Sequence, residues 1–263
     1  MISVTSAQLD AWIAAFVFPL ARILGLLAAA PFFNNAAMPR RARLMAGLAI
    51  AMALVPALPA MPAVPAGSWL GLAVLGQQML IGILMGFALR VAFAAVDVAG
   101  EMIGLQMGLS FAVFYDPQNA GQTPVVTEFF GLLATLIFLA LNGHLLLLNV
   151  LAESFSLWPV SAAPFQAAGL GKLVSGAAMI FIAGVLISLP LVAALLIANI
   201  AMGVLARVAP QLNLFAVGFP VTMLAGFVII GLSLPYFGAA LESIFSQGFQ
   251  LMRIVMRASA GLP

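Results

Sequence analysis

Leu70–Val96 reads LGLAVLGQQMLIGILMGFALRVAFAAV, and Arg90 is its single charged residue. A helix rises about 1.5 Å per residue, so about 20 apolar residues cross the hydrocarbon core of a bilayer. This stretch exceeds that length and reads as a membrane-spanning helix. Five further apolar segments lie to either side: Ala11–Phe33, Leu44–Leu58, Phe129–Val150, Leu173–Ala206 and Val217–Leu241. The second in chain order, Leu44–Leu58, is short and runs into Pro56, Pro59, Pro62 and Pro65, which predicts an interfacial segment or a half-span. The long Leu173–Ala206 segment has Pro190 in its middle, where a kink or a hairpin is expected. The expectation is an all-α, polytopic helical membrane protein with about five to seven long hydrophobic helices in a single domain over residues 1–263.

Composition agrees. The chain is 65% hydrophobic and 6% charged, with nine Lys and Arg against seven Asp and Glu. Its mean hydropathy is +1.24. A soluble domain carries about a quarter charged residues. A net charge of +2 is no nucleic-acid footprint, which needs clustered Lys and Arg. The absence of cysteine excludes disulfides and thiolate metal sites. The first ten residues carry Asp10 and no Lys or Arg, so the first apolar run is expected to stay as a span.

Polar stretches divide the apolar ones. Arg40, Arg41 and Arg43 form the densest basic cluster and mark the cytoplasmic side by the positive-inside rule. With six simple crossings, Arg253 and Arg257 near the other end would fall on the opposite side. One segment is therefore broken, or the protein is not a simple stack of crossings.

Residues 96–128, VDVAGEMIGLQMGLSFAVFYDPQNAGQTPVVTE, hold four acids and no base. Gly100, Gly104 and Gly108 recur every four residues, a face on which another helix can pack closely. Asp97 and Glu101 lie on an adjoining face, and Arg90 is two turns earlier. Charges in an apolar helix form ion pairs or line a pathway, and both readings stand. From Ser110 the pattern breaks into a loop with Phe111, Phe114 and Tyr115 before Asp116-Pro117. These aromatics suit an interfacial belt or an apolar stopper in a pore. Further on, Arg207, Gln211 and Asn213 interrupt two apolar segments, as a plain turn or as polar backbone buried in protein. A Ser110–His144 pair of the intramembrane-protease kind is a poor fit, because Phe111 follows the serine and nothing orients the histidine. His144 is expected as a hydrogen-bonded helix-end residue. No nucleotide loop, dinucleotide fingerprint or metal cluster is present, so no cofactor and no enzymatic activity are expected.

Four places in the chain are similar to the FliR family of flagellar and virulence type III secretion systems. They are Arg22 with Pro31-Phe32-Phe33 and Pro39–Arg43; Gly82, Gly86-Phe87 and Ala99-Gly100 leading to Gln106–Phe111 and Asp116-Pro117; Leu141-Asn142-Gly143-His144; and Arg207–Asn213 with Gly218-Phe219-Pro220. The resemblance implies a subunit of a helical hetero-oligomeric export channel, built with FliP-like and FliQ-like subunits beside FlhB-like and FlhA-like gate proteins. It implies a conical assembly largely above the plane of the bacterial inner membrane, at the flagellar basal body, with unfolded proteins in transit. It also implies a pore plug at the segment matching Leu109–Pro124, which contains Leu109, Ser110, Phe111, Phe114, Tyr115, Asp116 and Pro117. Phe111 and Phe114 are the occluding side chains in that reading. A small-molecule secondary transporter using Arg90, Asp97 and Glu101 is the alternative, and it predicts paired repeats, none of which is apparent. A structural scaffold is a third option.

Overall fold

The fold is taken from a computed structural model, which describes residues 5–33, 38–59, 61, 62, 64–109, 124–209 and 214–262. Among them are eight α-helices and no strand. In chain order they are α1 Ser6–Ala29, α2 Arg40–Leu54, α3 Trp69–Gln106, α4 Val125–Ala140, α5 Gly143–Leu157, α6 Ala168–Gly176, α7 Ala178–Val208 and α8 Leu214–Ser259, with a 3-10 turn at Val55–Ala57 after α2. Thr5 starts α1 through a capping box: its hydroxyl accepts from Gln8 N–H at 3.3 Å, and its N–H donates to the Gln8 side chain at 3.0 Å. Ser68 starts α3, its Oγ accepting from Gly71 N–H at 3.0 Å.

Four helical stretches are long and apolar enough to cross a membrane: Gln8–Ala29, Trp69–Gln106, Ala168–Val208 and Gly218–Ser259. The broken pair α4 and α5 makes a fifth if it counts as one span. The expected range of five to seven is therefore met only at its lower edge. Two differences explain this. Pro190 lies inside an unbroken α7, so Leu173–Ala206 holds no hairpin. The short α2 does not reach spanning length.

The break falls instead in Phe129–Val150. Asn142 sits at φ 56°, the left-handed region that Asn tolerates better than most residues. Its carbonyl accepts from Leu145 and Leu146 N–H at the start of α5, while Leu141 N–H still closes on Ile137 in α4. The Leu141-Asn142-Gly143-His144 motif is a helix stop and restart.

Two compact units divide the chain. The first comprises Met1–Val91, Asn142–Ala177 and Phe245–Pro263. Phe18, Ile23, Leu27, Met85, Leu89, Phe155 and Met252 are buried in it. Here α1 and α3 meet backbone to backbone. A Cβ on Gly82 would collide with the Arg22 carbonyl, and one on Gly86 would lie 2.6 Å from Ala29 Cβ. A Cβ on Gly25 of α1 would in turn collide with the Met79 carbonyl. The second unit comprises Ala92–Leu141 and Ala178–Ile244. Its core includes the ring pairs Phe93–Phe138 at 5.7 Å and Phe130–Phe237 at 4.7 Å between centroids.

Candidate functional site

Within the second unit the C-terminal half of α3 packs against α4, α7 and α8, and small residues set each approach. A Cβ on Gly100 would stand 2.6 Å from Thr127 Cα, so α4 crosses α3 there with no room for a side chain. At Gly104 the same test meets only Val126 at 3.8 Å, an ordinary contact. Gly184 of α7 lies against Val98 and the Ala95 carbonyl, at 2.8 and 2.9 Å from its would-be Cβ. Gly226 of α8 is covered by the Met107 side chain, at 2.6 Å by the same measure. Gly108 does a different job from the one its spacing suggests. It lies past the helix end at φ 80°. Its N–H bonds to the Leu105 carbonyl at 3.0 Å, and Leu109 N–H bonds to the Gly104 carbonyl at 3.1 Å. That pair of bonds around a left-handed glycine is a Schellman stop.

The end of α3 is pinned from α7 as well. Asn199 Nδ2 donates to the Gln106 carbonyl at 3.3 Å and reaches its Oε1 at 3.4 Å. The donor satisfies a carbonyl that the helix end leaves open. Leu109 is half-buried at the root of the segment that follows. Ser110, Phe111, Phe114, Tyr115, Asp116 and Pro117 lie outside the described residues, as do Gln211 and Asn213. On the far side of the segment, Pro124 stands at the start of α4.

Asp97 and Glu101 are exposed on α3, and Asp97 Oδ1 lies 3.9 Å from where a Cβ of Gly131 would stand, so it faces α4. Arg90 and Arg207 are also exposed. The chain alone therefore buries none of these four charged residues. Among the described residues no three His, Asp or Glu side chains converge to hold a metal ion. His144 stands in the first turn of α5, at a helix end as expected, and its buried Nδ1 has no hydrogen-bond partner among the described residues.

The polar centre of the first unit is Arg22, which the sequence reading named in the family resemblance without giving it a role. It is fully buried. Its Nε donates to Gln78 Oε1 at 2.8 Å, Nη1 to the Ser154 carbonyl and hydroxyl at 2.9 and 3.0 Å, and Nη2 to the Trp158 carbonyl at 2.9 Å. Its Cζ sits 4.1 Å from the centroid of the Phe155 ring, a cation–π contact. One side chain thus ties α1 to α3 and to the end of α5. The rule applied to Arg90, that a charge inside an apolar segment has a partner, applied equally to Arg22. Near it, Arg253 Nε of α8 meets Glu153 Oε2 of α5 at 3.0 Å.

Comparison with known proteins places these features. The profile of the family described as bacterial export proteins, family 1, matches residues 13–248. The flagellar biosynthetic protein FliR of Pectobacterium carotovorum subsp. carotovorum is 40% identical over 97% of this chain and 98% of its own length. FliR of Escherichia coli K12 is 40% identical over 96% of each chain. FliR of Bacillus subtilis 168 is 33% identical over 67% of this chain and 70% of its own.

Proposed function

This chain belongs to the bacterial export proteins, family 1, and is a relative of the flagellar FliR proteins along nearly its whole length, and from that premise we propose that it is a subunit of the flagellar protein-export gate. In this reading residues 1–263 act as a single membrane-embedded export-gate domain in the bacterial inner membrane, at the flagellar basal body. It assembles with FliP-like and FliQ-like subunits into a helical channel for unfolded proteins, beside FlhB-like and FlhA-like gate proteins. Its role is passage, with no catalytic step. The observation that carries the proposal is the end-to-end identity of 40% with a FliR protein.

Two features of the chain support assembly. Only 22% of the apolar window in Gly218–Ser259 and 33% of that in Ala168–Val208 is buried within the chain, so lipid or other subunits cover the rest. At 1.5 Å per residue α3 is about 57 Å long and α8 about 69 Å, roughly twice the hydrocarbon thickness. Helices of that length suit an assembly that rises out of the bilayer. Partner subunits would then cover Arg90, Asp97, Glu101 and Arg207, together with Gln211 and Asn213. Gly100 and Gly104 serve packing of α3, and Gly108 ends it.

The segment Leu109–Pro124 is the proposed pore plug, with Phe111 and Phe114 sealing the constriction and Ser110, Tyr115, Asp116 and Pro117 shaping the loop. Aromatic side chains exclude water from a narrow passage, so the closed pore resists ions by dewetting. The stop at Gly108 and the Asn199 contact fix where the segment leaves α3, which favours a loop that yields while its root stays in place. Burying one Phe is worth about 1.5–3 kcal/mol, so removing two shifts a closed-to-open balance enough to make a minor state common. Conductance of the purified complex in a planar bilayer tests this. Phe111→Ala with Phe114→Ala is expected to leak ions with assembly intact. Near-zero conductance in an intact double variant removes the seal from these residues.

A further inference from the structure

In the second unit, α3 is closed in on two sides. Val98, Met102 and Gln106, each four residues apart, face α7. Val98 lies against Gly184, Met102 Sδ accepts from the Ser188 hydroxyl at 3.5 Å, and the Gln106 carbonyl accepts from Asn199. On the other side Asp97 and Gly100 face α4, at Gly131 and Thr127. A narrow open strip runs between these contacts. From Ala92 to Met107 the exposed residues are Asp97, Glu101 and Leu105, again four apart, with Ala94 half-buried on the same side. The strip is the floor of a groove whose walls are α4 and α7. A strip one residue wide per turn is the kind of seam along which a single helix packs on another.

Glu101 is the residue this groove leaves unanswered. Among the described residues it has no hydrogen bond and no ion pair. It stands little more than a turn from the C-terminal end of α3, the end at which the helix dipole disfavours an acid. The walls offer it no cation: α4 carries no Lys or Arg, and α7 carries none before Arg207 in its last turn. Lipid is a poor cover for the groove, because acyl chains cannot answer a carboxylate. Water alone is a poor cover too. Leu105 on the floor is 61% exposed, and Leu132 of α4 and Phe181 of α7 are similarly open. A surface that is apolar and acidic at once is complementary to a protein that is apolar and basic. Packed among apolar helices, that protein has to satisfy its own backbone, and a helix does so.

We propose that the groove between α4 and α7 seats one helix of a partner subunit, with a Lys or Arg of that helix paired to Glu101, an apolar side chain over Leu105 and the closest approach at Ala94. This rests on the export-gate reading and names the chemistry of one contact within it. A photoreactive benzophenone amino acid in place of Leu105, in complexes formed in membranes, marks the occupant, and mass spectrometry of the adduct identifies it. The expected adduct lies on a helix of a partner subunit, with a Lys or Arg within a turn of the linked residue. Glu101→Arg then sets like charges against each other and is expected to lower co-purification of the partner about tenfold or more. Glu101→Gln should fall between that variant and the natural chain. Changing the partner's base to Glu should restore assembly with Glu101→Arg, which separates a reversed pair from a chain that fails to fold. Adducts on lipid alone, or on a helix without a base, overturn the proposal, and so does failure of the rescue. Full recovery of partner subunits with Glu101→Arg also overturns it while the export-gate reading stands. A natural chain that purifies without any partner subunit overturns both.

Discussion

Arg22 carries a charge into the interior of the first unit and meets there two backbone carbonyls, a hydroxyl and an amide, all neutral. A buried ion is tolerated only when its hydrogen-bonding capacity is met. The planar guanidinium does this with donors spread in a fork, which a lysine ammonium on its flexible stem cannot copy. Arg22→Ala leaves the Gln78, Ser154 and Trp158 acceptors buried without their donor, at a cost of about 1–3 kcal/mol each. The expected outcome is a large fall in the thermal midpoint of the purified complex and in its accumulation in membranes. Arg22→Lys should fall between that variant and the natural protein. Identical melting of Arg22→Ala and the natural complex would remove the clamp. Hydropathy alone does not distinguish this arginine from Arg90, which the fold leaves exposed. Both stand alone in apolar segments, and only the neighbouring helices decide which one is covered.

Helices in this protein are spaced by glycine and interrupted less than their sequences suggest. Gly25, Gly82, Gly86, Gly100 and Gly184 all stand where a Cβ would press on a neighbouring helix. The Gly100–Gly104 spacing was visible in the sequence, but the two positions are unequal. Gly100→Ala drives a methyl into the Thr127 backbone, whereas Gly104→Ala places it at contact distance from Val126. Overpacking of this kind costs about 1–3 kcal/mol. Gly100→Ala should therefore weaken the complex measurably, while Gly104→Ala leaves it near the natural level; thermal melting of both variants ranks them. Equal melting would mean that the α3–α4 crossing yields easily. Pro190, where a kink or a hairpin was expected, lies inside a continuous helix, and so does Pro235 of α8. Each is preceded by Ser-Leu, and the serine hydroxyl bonds the carbonyl three residues back, Ser188 to Val185 at 3.1 Å and Ser233 to Ile230 at 2.8 Å. Those bonds fall on the carbonyls one residue before Leu186 and Gly231, the two that the prolines leave without an N–H partner.

Over the whole chain, two basic clusters that conflicted in the sequence fall into line if α4 and α5 together make one crossing. Between the Arg40–Arg43 cluster and Arg253 the chain then passes α3, the broken pair, α7 and α8, an even number, so both clusters share a side as the positive-inside rule requires. The poorly covered α7 and α8 further predict that the protein is purified in a complex. Affinity isolation from membranes should bring down FliP-like and FliQ-like subunits in fixed ratio, and recovery of a stable, active monomer would contradict the export-gate reading and favour a transporter. By itself the sequence determined the solvent and the class of this protein, because a chain with 65% apolar residues and only 6% charged ones has nowhere to fold but against lipid or apolar protein. Its ordered motifs also determined the family, since they run from Arg22 to Pro220 in one arrangement. Tertiary structure decided where the long apolar segments break, which glycine spaces helices and which stops one, and which arginine is buried. Those outcomes depend on what lies across each helix face, and hydropathy is a sum over one chain segment that contains no information about its neighbours.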